Sequence, residues 1–268
     1  MIANIEQNEN LAPSLFIAHG NPNILITSGV YRKFLEDFHT LIKKPKAIVI
    51  FTAHWESTTQ RISSVKQYET IHDFTNFPRE MYEMTYPAPG DPALAQEIQN
   101  LLKENGVESV LDEERGIDHG AWAILKIIYP DADIPVVQLS VSPEATAEEA
   151  YKIGTYMQTL REKGIAIIGS GNTVHNVANP RIPLLEGENP EWSLEFDDWI
   201  EKQINEWNTE ELFAYDKNAP WAFKAVPTTD HFIPLLYVLG AADKTRKPTL
   251  LHRSSGTPDL TYLTWRFD

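Results

Sequence analysis

Five histidines stand where an apolar run meets a turn. SLFIAHGNPNIL (14–25) ends its hydrophobic stretch on His19, and KAIVIFTAHWES (46–57) ends a β-branched one on His54. His175 follows another apolar run by way of GSGNTVHN, while His119 opens GAWAILKII and His231 opens FIPLLYVLGAA. In an α/β sheet, ligands bind beyond the carboxyl ends of the strands, so these are positions from which side chains converge. One such histidine is as readily a core or capping residue; five together point to a shared site. Imidazole ligates zinc, copper, iron and nickel, and a catalytic metal needs about three protein ligands plus an open position. No HExxH spacing is present, so the settings of these residues carry the inference as far as a mononuclear metal site. Of the other three histidines, His39 in EDFHTLIKK and His252 near the C-terminus read as surface or structural residues, and His72 carries no assignment.

Other chemistries have less support. No GxSxG elbow, Walker A loop or GxGxxG opens a helix, and GSGN (169–172) reads as a Gly-rich turn too short for a dinucleotide fingerprint. Ser170, five residues before His175, has no stated geometry that would make it a nucleophile.

The elements that must position these residues alternate. Strand-like runs at 14–18, 46–53, 134–141 and 165–170 are separated by helical periodicity at 26–43, 92–104, 120–128, 146–162 and 194–207. The expectation is an α/β fold, one domain over 1–268, with a central, largely parallel or mixed sheet covered by helices on both faces. Residues 67–92, with Pro78, Pro87, Pro89, Gly90 and several aromatics, read as an ordered loop forming a wall of the pocket. The acidic stretch from Glu186 to Glu211, with Trp192, Phe196, Trp199 and Trp207 interleaved, reads as an amphipathic helix. TYLTWRFD alternates like a strand, to be paired within the sheet or across a dimer; oligomeric state is not readable.

Composition narrows the function. The chain has no cysteine, which removes thiolate nucleophiles, iron–sulfur clusters and Cys-type zinc sites and leaves N and O ligands for any metal. A net charge of −15 opposes non-specific binding to nucleic acid or anionic membranes and favours a small-molecule substrate. No apolar stretch approaches a membrane span, and MIANIEQNEN has no signal-peptide pattern, so a cytoplasmic address is expected.

The ordered series HGNP, FTAHWE, YPAPGDPALA, RGIDHGAW, GSGNTVHN and DHFIPLLYVLGAA resembles the class III extradiol ring-cleavage dioxygenases, in the 4,5-DOPA dioxygenase branch of the LigB-like superfamily. The likeness runs from about residue 14 to the C-terminal TYLTWRF. It implies that His19, His54 and His231 are metal ligands. It implies that His175 is the acid/base, able in zinc-filled members to approach the metal as a further ligand, and that His119 orients substrate or dioxygen. Two motifs depart from the family pattern: HGSP reads HGNP, with Asn21, and DFxGFP reads DFTNFP, with Thr75 and Asn76. Both changes are expected where substrate sits.

The function so implied is opening of a catechol ring by O2 at one divalent metal per chain. Fe2+ is the expected catalytic ion, because zinc has no redox chemistry, although an all-imidazole site suits zinc and purification is expected to leave Zn2+ there. His175, with a pKa expected near neutral, would take and return protons. The alternatives are a zinc-dependent hydrolase using the same residues and a non-catalytic member of the fold that binds metal or peptide. The sequence does not choose among DOPA, protocatechuate and smaller diols.

Overall fold

The computed structural model describes residues 11–176, 190–257 and 260–268; the N-terminal MIANIEQNEN and the first residues of the acidic stretch, 186–189, lie outside these. Its strands are β1 (Ser14–Ala18), β2 (Ala47–Glu56), β3 (Gln60–Ser63), β4 (Ser109–Asp112), β5 (Val136–Val141), β6 (Ile165–Gly171), β7 (Pro248–Thr257) and β8 (Leu260–Phe267). They form one mixed eight-stranded sheet in the order β4-β3-β5-β2-β6-β1-β8-β7. The central pairs β5-β2, β2-β6 and β6-β1 are parallel, while β8 runs antiparallel to both β1 and β7. The C-terminal strand thus pairs within the sheet.

The helices are α1 (Val30–Glu36), α2 (Arg79–Tyr82), α3 (Pro92–Glu104), α4 (His119–Ile128), α5 (Ala147–Tyr156), α6 (Gln158–Glu162), α7 (Glu191–Asn205), α8 (Thr209–Phe213), α9 (Tyr215–Asn218), α10 (Ala222–Ala225) and α11 (Pro234–Gly240). Both faces of the sheet are covered, and the alternation of the strands shows how. Along β2, Val49 and Phe51 join one apolar cluster with residues of α3, α5, α7 and α11; Ile48 and Ile50 join a second with residues of α1 and α4.

Helix starts follow local chemistry. Asp91 accepts from the Leu94 amide ahead of α3, with Pro92 in the first turn, and Thr146 with Glu149 forms a reciprocal capping box on α5. The acidic segment is helical as expected, with Trp192, Phe196, Ile200 and Ile204 buried along α7. Residues 26–43 depart most from expectation: α1 takes only Val30–Glu36, with 3-10 turns at Pro22–Leu25 and Phe38–Thr40. The short polar strands β3 and β4 had escaped periodicity, as had β7. The GSG of GSGN is not a turn but the end of β6, and its glycines admit the start of α11: a Cβ on Gly169 would meet the Pro234 carbonyl, and one on Gly171 the His231 carbonyl.

Candidate active site

Strands β2, β6 and β1 are adjacent and parallel, so their carboxyl ends share one edge of the sheet. His19 lies one residue beyond β1, its amide bonded to the Gly171 carbonyl at 3.1 Å. Gly20 follows with φ +64°, and a Cβ there would run into the Tyr262 ring, so the HG pair is required for two reasons. His54 lies within β2, not past its end. Asn172, just past β6, donates its amide to the His231 carbonyl at 2.8 Å and accepts from the Gly20 amide at 3.2 Å, binding two histidine-bearing segments together.

Each residue of the DHG motif has a task. Asp118 caps α4, accepting from the Ala121 amide; the same buried carboxylate accepts from Thr52 Oγ1 (2.7 Å), Gln138 Nε2 (2.9 Å) and Arg115 (3.3 Å). Arg115 also donates to the His54 carbonyl at 3.0 Å. His119 is the first residue of the helix. Gly120 leaves room for His54, whose Cδ2 would lie 2.7 Å from an added Cβ, and its carbonyl accepts from Ser170 Oγ.

The rings of His19, His54 and His231 form a near-equilateral triangle with centroid separations of 4.9, 5.0 and 5.1 Å. Their ligand-capable nitrogens all lie within 4.8 Å of one another. The Nε2 atoms of His19 and His54 are 3.1 Å apart. Bonds of about 2.0–2.1 Å to one ion would separate two nitrogens by roughly 3 to 3.4 Å, so the spacing matches.

The outer hydrogen bonds say which nitrogens are free. The Ser170 hydroxyl proton is committed to the Gly120 carbonyl, so Ser170 Oγ accepts from His19 Nδ1 at 3.0 Å. Asp230 Oδ2 accepts a hydrogen bond from Nδ1 of His231, and Asp73 Oδ2 lies 3.5 Å from Nδ1 of His54. The Nδ1 protons of His19 and His231 are thus accounted for, which leaves Nε2 of both rings with a lone pair, and that of His231 is buried without a partner; the Asp73 carboxylate favours the same arrangement on His54. Unpaired lone pairs converging on one point leave a place that a cation satisfies. Burial, then the neighbouring imidazoles, hold His19 and His54 well below the usual histidine pKa, so both are neutral and ready to ligate.

Two further rings flank the triangle. His119 lies 3.9 Å from His54 and 5.8 Å from His19 between centroids. His175 stacks parallel on His231 at 3.4 Å. Burial and then His231 lower its pKa to about 3, not near neutral as expected from the sequence. The remaining histidines are occupied elsewhere: His39 bonds the Glu36 carbonyl, His72 the Met84 carbonyl and His252 the Ser254 hydroxyl.

Sequence reasoning missed Asp73, Asp230 and Ser170, the partners that orient the rings. A signal was present for one of them: His231 is immediately preceded by the aspartate that binds it. The loop 67–92 does reach the site, through Asp73 and through Phe74, whose ring lies 5.7 Å from that of His119; it also contains the four-residue helix α2.

The two departures from the family pattern prove to be backbone roles. Asn21 accepts from the Asn23 amide at 3.0 Å and caps the turn Pro22–Leu25, a task a serine performs equally well. Asn76 is exposed with φ +65°, a conformation that glycine and asparagine both tolerate.

Three imidazoles converging at the carboxyl edge of a mixed α/β sheet, with two more beside them, define a histidine-built metal site. The chain belongs to the LigB family, the catalytic subunit of aromatic ring-opening dioxygenase, which residues 17–264 match. It is 40% identical to a 4,5-DOPA dioxygenase extradiol of Beta vulgaris, over 97% of each chain. It is 34% identical to the protein of that name from Escherichia coli K12, over 91% of this chain and 90% of that one. A crystal structure of an uncharacterized Escherichia coli K12 protein superposes with a TM-score of 0.79 at 30% identity, covering 96% of this chain and all of the other.

Proposed function

We propose that this protein, as one catalytic domain, opens the ring of a catechol, DOPA or a related diol, by extradiol cleavage with O2. The observation that carries the reading is the convergence of one ligand nitrogen from each of three rings, with His19 and His231 oriented by hydrogen bonds through Nδ1 and His54 facing the Asp73 carboxylate at 3.5 Å. His19, His54 and His231 would hold one divalent ion. Bound Fe2+ would supply the redox chemistry that passes electrons from a catecholate to dioxygen, whereas Zn2+ would fill the same donors without turnover. Three imidazole ligands would leave such an ion open to substrate.

His175, neutral and stacked on His231, is placed to accept a proton from a diol hydroxyl and to return one to the product. His119 would orient the substrate or dioxygen from its place beside His54. A cytoplasmic address belongs to the same reading, since a reducing milieu keeps iron ferrous.

The test is anaerobic reconstitution with Fe2+, addition of DOPA, protocatechuate and simpler catechols, and measurement of oxygen uptake. Uptake with a diol, absent for the zinc-loaded protein, is the expected result. Bound iron with no uptake across the panel would overturn the reading in favour of hydrolysis or binding alone.

A further inference from the structure

One carboxylate in the loop 67–92 serves two rings of the site. Asp73 Oδ1 accepts from the His119 backbone amide at 2.9 Å and lies 2.9 Å from His119 Nδ1, a close contact in which the ring N–H is not aligned on the oxygen, so that the carboxylate is the nearest acceptor for an otherwise unpartnered buried nitrogen. Its Oδ2 lies 3.5 Å from Nδ1 of His54. The Asp73 side chain is one-quarter exposed, while His119 is buried at the first turn of α4. The loop that carries it is tied on both sides: the Ile71 amide bonds the Ile117 carbonyl at 2.8 Å, the Ile71 carbonyl accepts from Trp122 Nε1 at 2.8 Å, and the Tyr86 amide bonds Thr70 Oγ1 at 2.8 Å. Asp73 is therefore presented by a braced backbone.

A carboxylate accepts and does not donate, so a ring held through Nδ1 must carry its proton there and leave Nε2 bare. His54, Asp73 and His119 also form a second cluster of ligand-type atoms within 4.8 Å. An ion there would have to displace the proton between Asp73 and His119 and would compete with the first cluster for His54. The shared carboxylate is better matched to orienting the two rings.

We propose that Asp73 is the positioning residue of the site: it selects the Nδ1–H tautomer of both His54 and His119, and so couples the loop 67–92 to the metal centre. Its effect on metal affinity does not depend on the dioxygenase reading; only its effect on turnover rests on that reading. An outer-shell partner of this type is worth about 10- to 100-fold in metal affinity. Asp73→Asn is the informative variant, because its Oδ1 still accepts from the His119 amide while its NH2 faces an imidazole Nδ1 as a donor, which favours the opposite tautomer.

Two measurements on the full chain decide it. Histidine-selective 15N NMR of the metal-free protein reads the tautomers: Nδ1–H on His54 and His119 in the wild type, with at least one changed to Nε2–H in Asp73→Asn. Competition with a chromophoric chelator reads Zn2+ affinity, expected to fall about 10- to 100-fold in Asp73→Asn and to recover in part in Asp73→Glu. Unchanged tautomers overturn the proposal even if affinity falls, because the loss would then be structural. Unchanged affinity overturns it as well. Neither result depends on catechol turnover, so failure of the oxygen-uptake test would leave both measurements decisive.

Discussion

At the scale of single residues, the site separates ligation from proton handling, and mutation can show it. His175 meets the triangle by stacking on His231, whereas His54 Nε2 points at His19 Nε2 across 3.1 Å. His175→Ala is therefore expected to keep its metal in elemental analysis while iron-loaded turnover falls roughly 10²- to 10⁴-fold. His54→Ala is expected to lose the metal itself. A metal-free His175→Ala protein would make that residue a ligand instead of an acid/base. The five histidines were legible because each stands close to the start or end of an apolar run in the sequence. Their partners were not, because Asp73 and Ser170 reach His119 and His19 from 46 and 151 positions away in the chain, and no local pattern records such a pairing.

At the scale of elements, the glycines show why the histidines converge. Gly171 ends β6 directly against the His231 carbonyl, and Gly169 lies against that of Pro234, so α11 begins almost in contact with the strand. Farther along, Gly154 of α5 meets the Tyr237 carbonyl while Gly240 of α11 meets the Tyr151 carbonyl, a reciprocal backbone approach of two helices. Gly171→Ala must push the α11 start outward and take His231 with it. The expected outcome is a protein destabilised by about 1–3 kcal/mol in chemical denaturation, with weakened Zn2+ affinity. Unaltered affinity in that variant would show that His231 is not held by this contact. The long apolar strands and α3, α4 and α5 could be read from the sequence because periodicity and caps agreed there. β3 and β4 could not, since four-residue strands such as QRIS and SVLD owe their form to their neighbours in the sheet.

At the scale of the molecule, a few buried polar groups tie distant segments to the sheet. Arg161 is 2% exposed and donates to the carbonyls of Ala12 (2.8 Å), Ala241 (2.9 Å) and Phe267 (2.8 Å), joining the entry to β1, the end of α11 and the end of β8. Asp197 of α7 does the same near the site, accepting from Thr173 Oγ1 at 2.7 Å, with a further bond to Thr261 of β8. Its second oxygen is buried without a partner. Burial raises its pKa from 3.8 to about 6, outweighing the hydrogen bonds from Thr173 and Thr261 and the positive charge of Arg253, with Asp198 adding to the rise. The folded state thus binds this proton more tightly than the unfolded chain does. The favourable contribution is fully present below about pH 4 and is lost as pH rises through about 6, a change on the order of 3 kcal/mol for one carboxyl so displaced. Asp197→Asn does not titrate there, and whatever its altered contacts cost is independent of pH. Denaturation of both proteins from pH 4 to pH 8 should therefore show the wild type losing ground to Asp197→Asn by about that amount, with the change centred between pH 4 and 6. Parallel curves would mean that Asp197 ionises as readily in the fold as in the unfolded chain, and that the link from α7 to the end of β6 carries a charge at no cost.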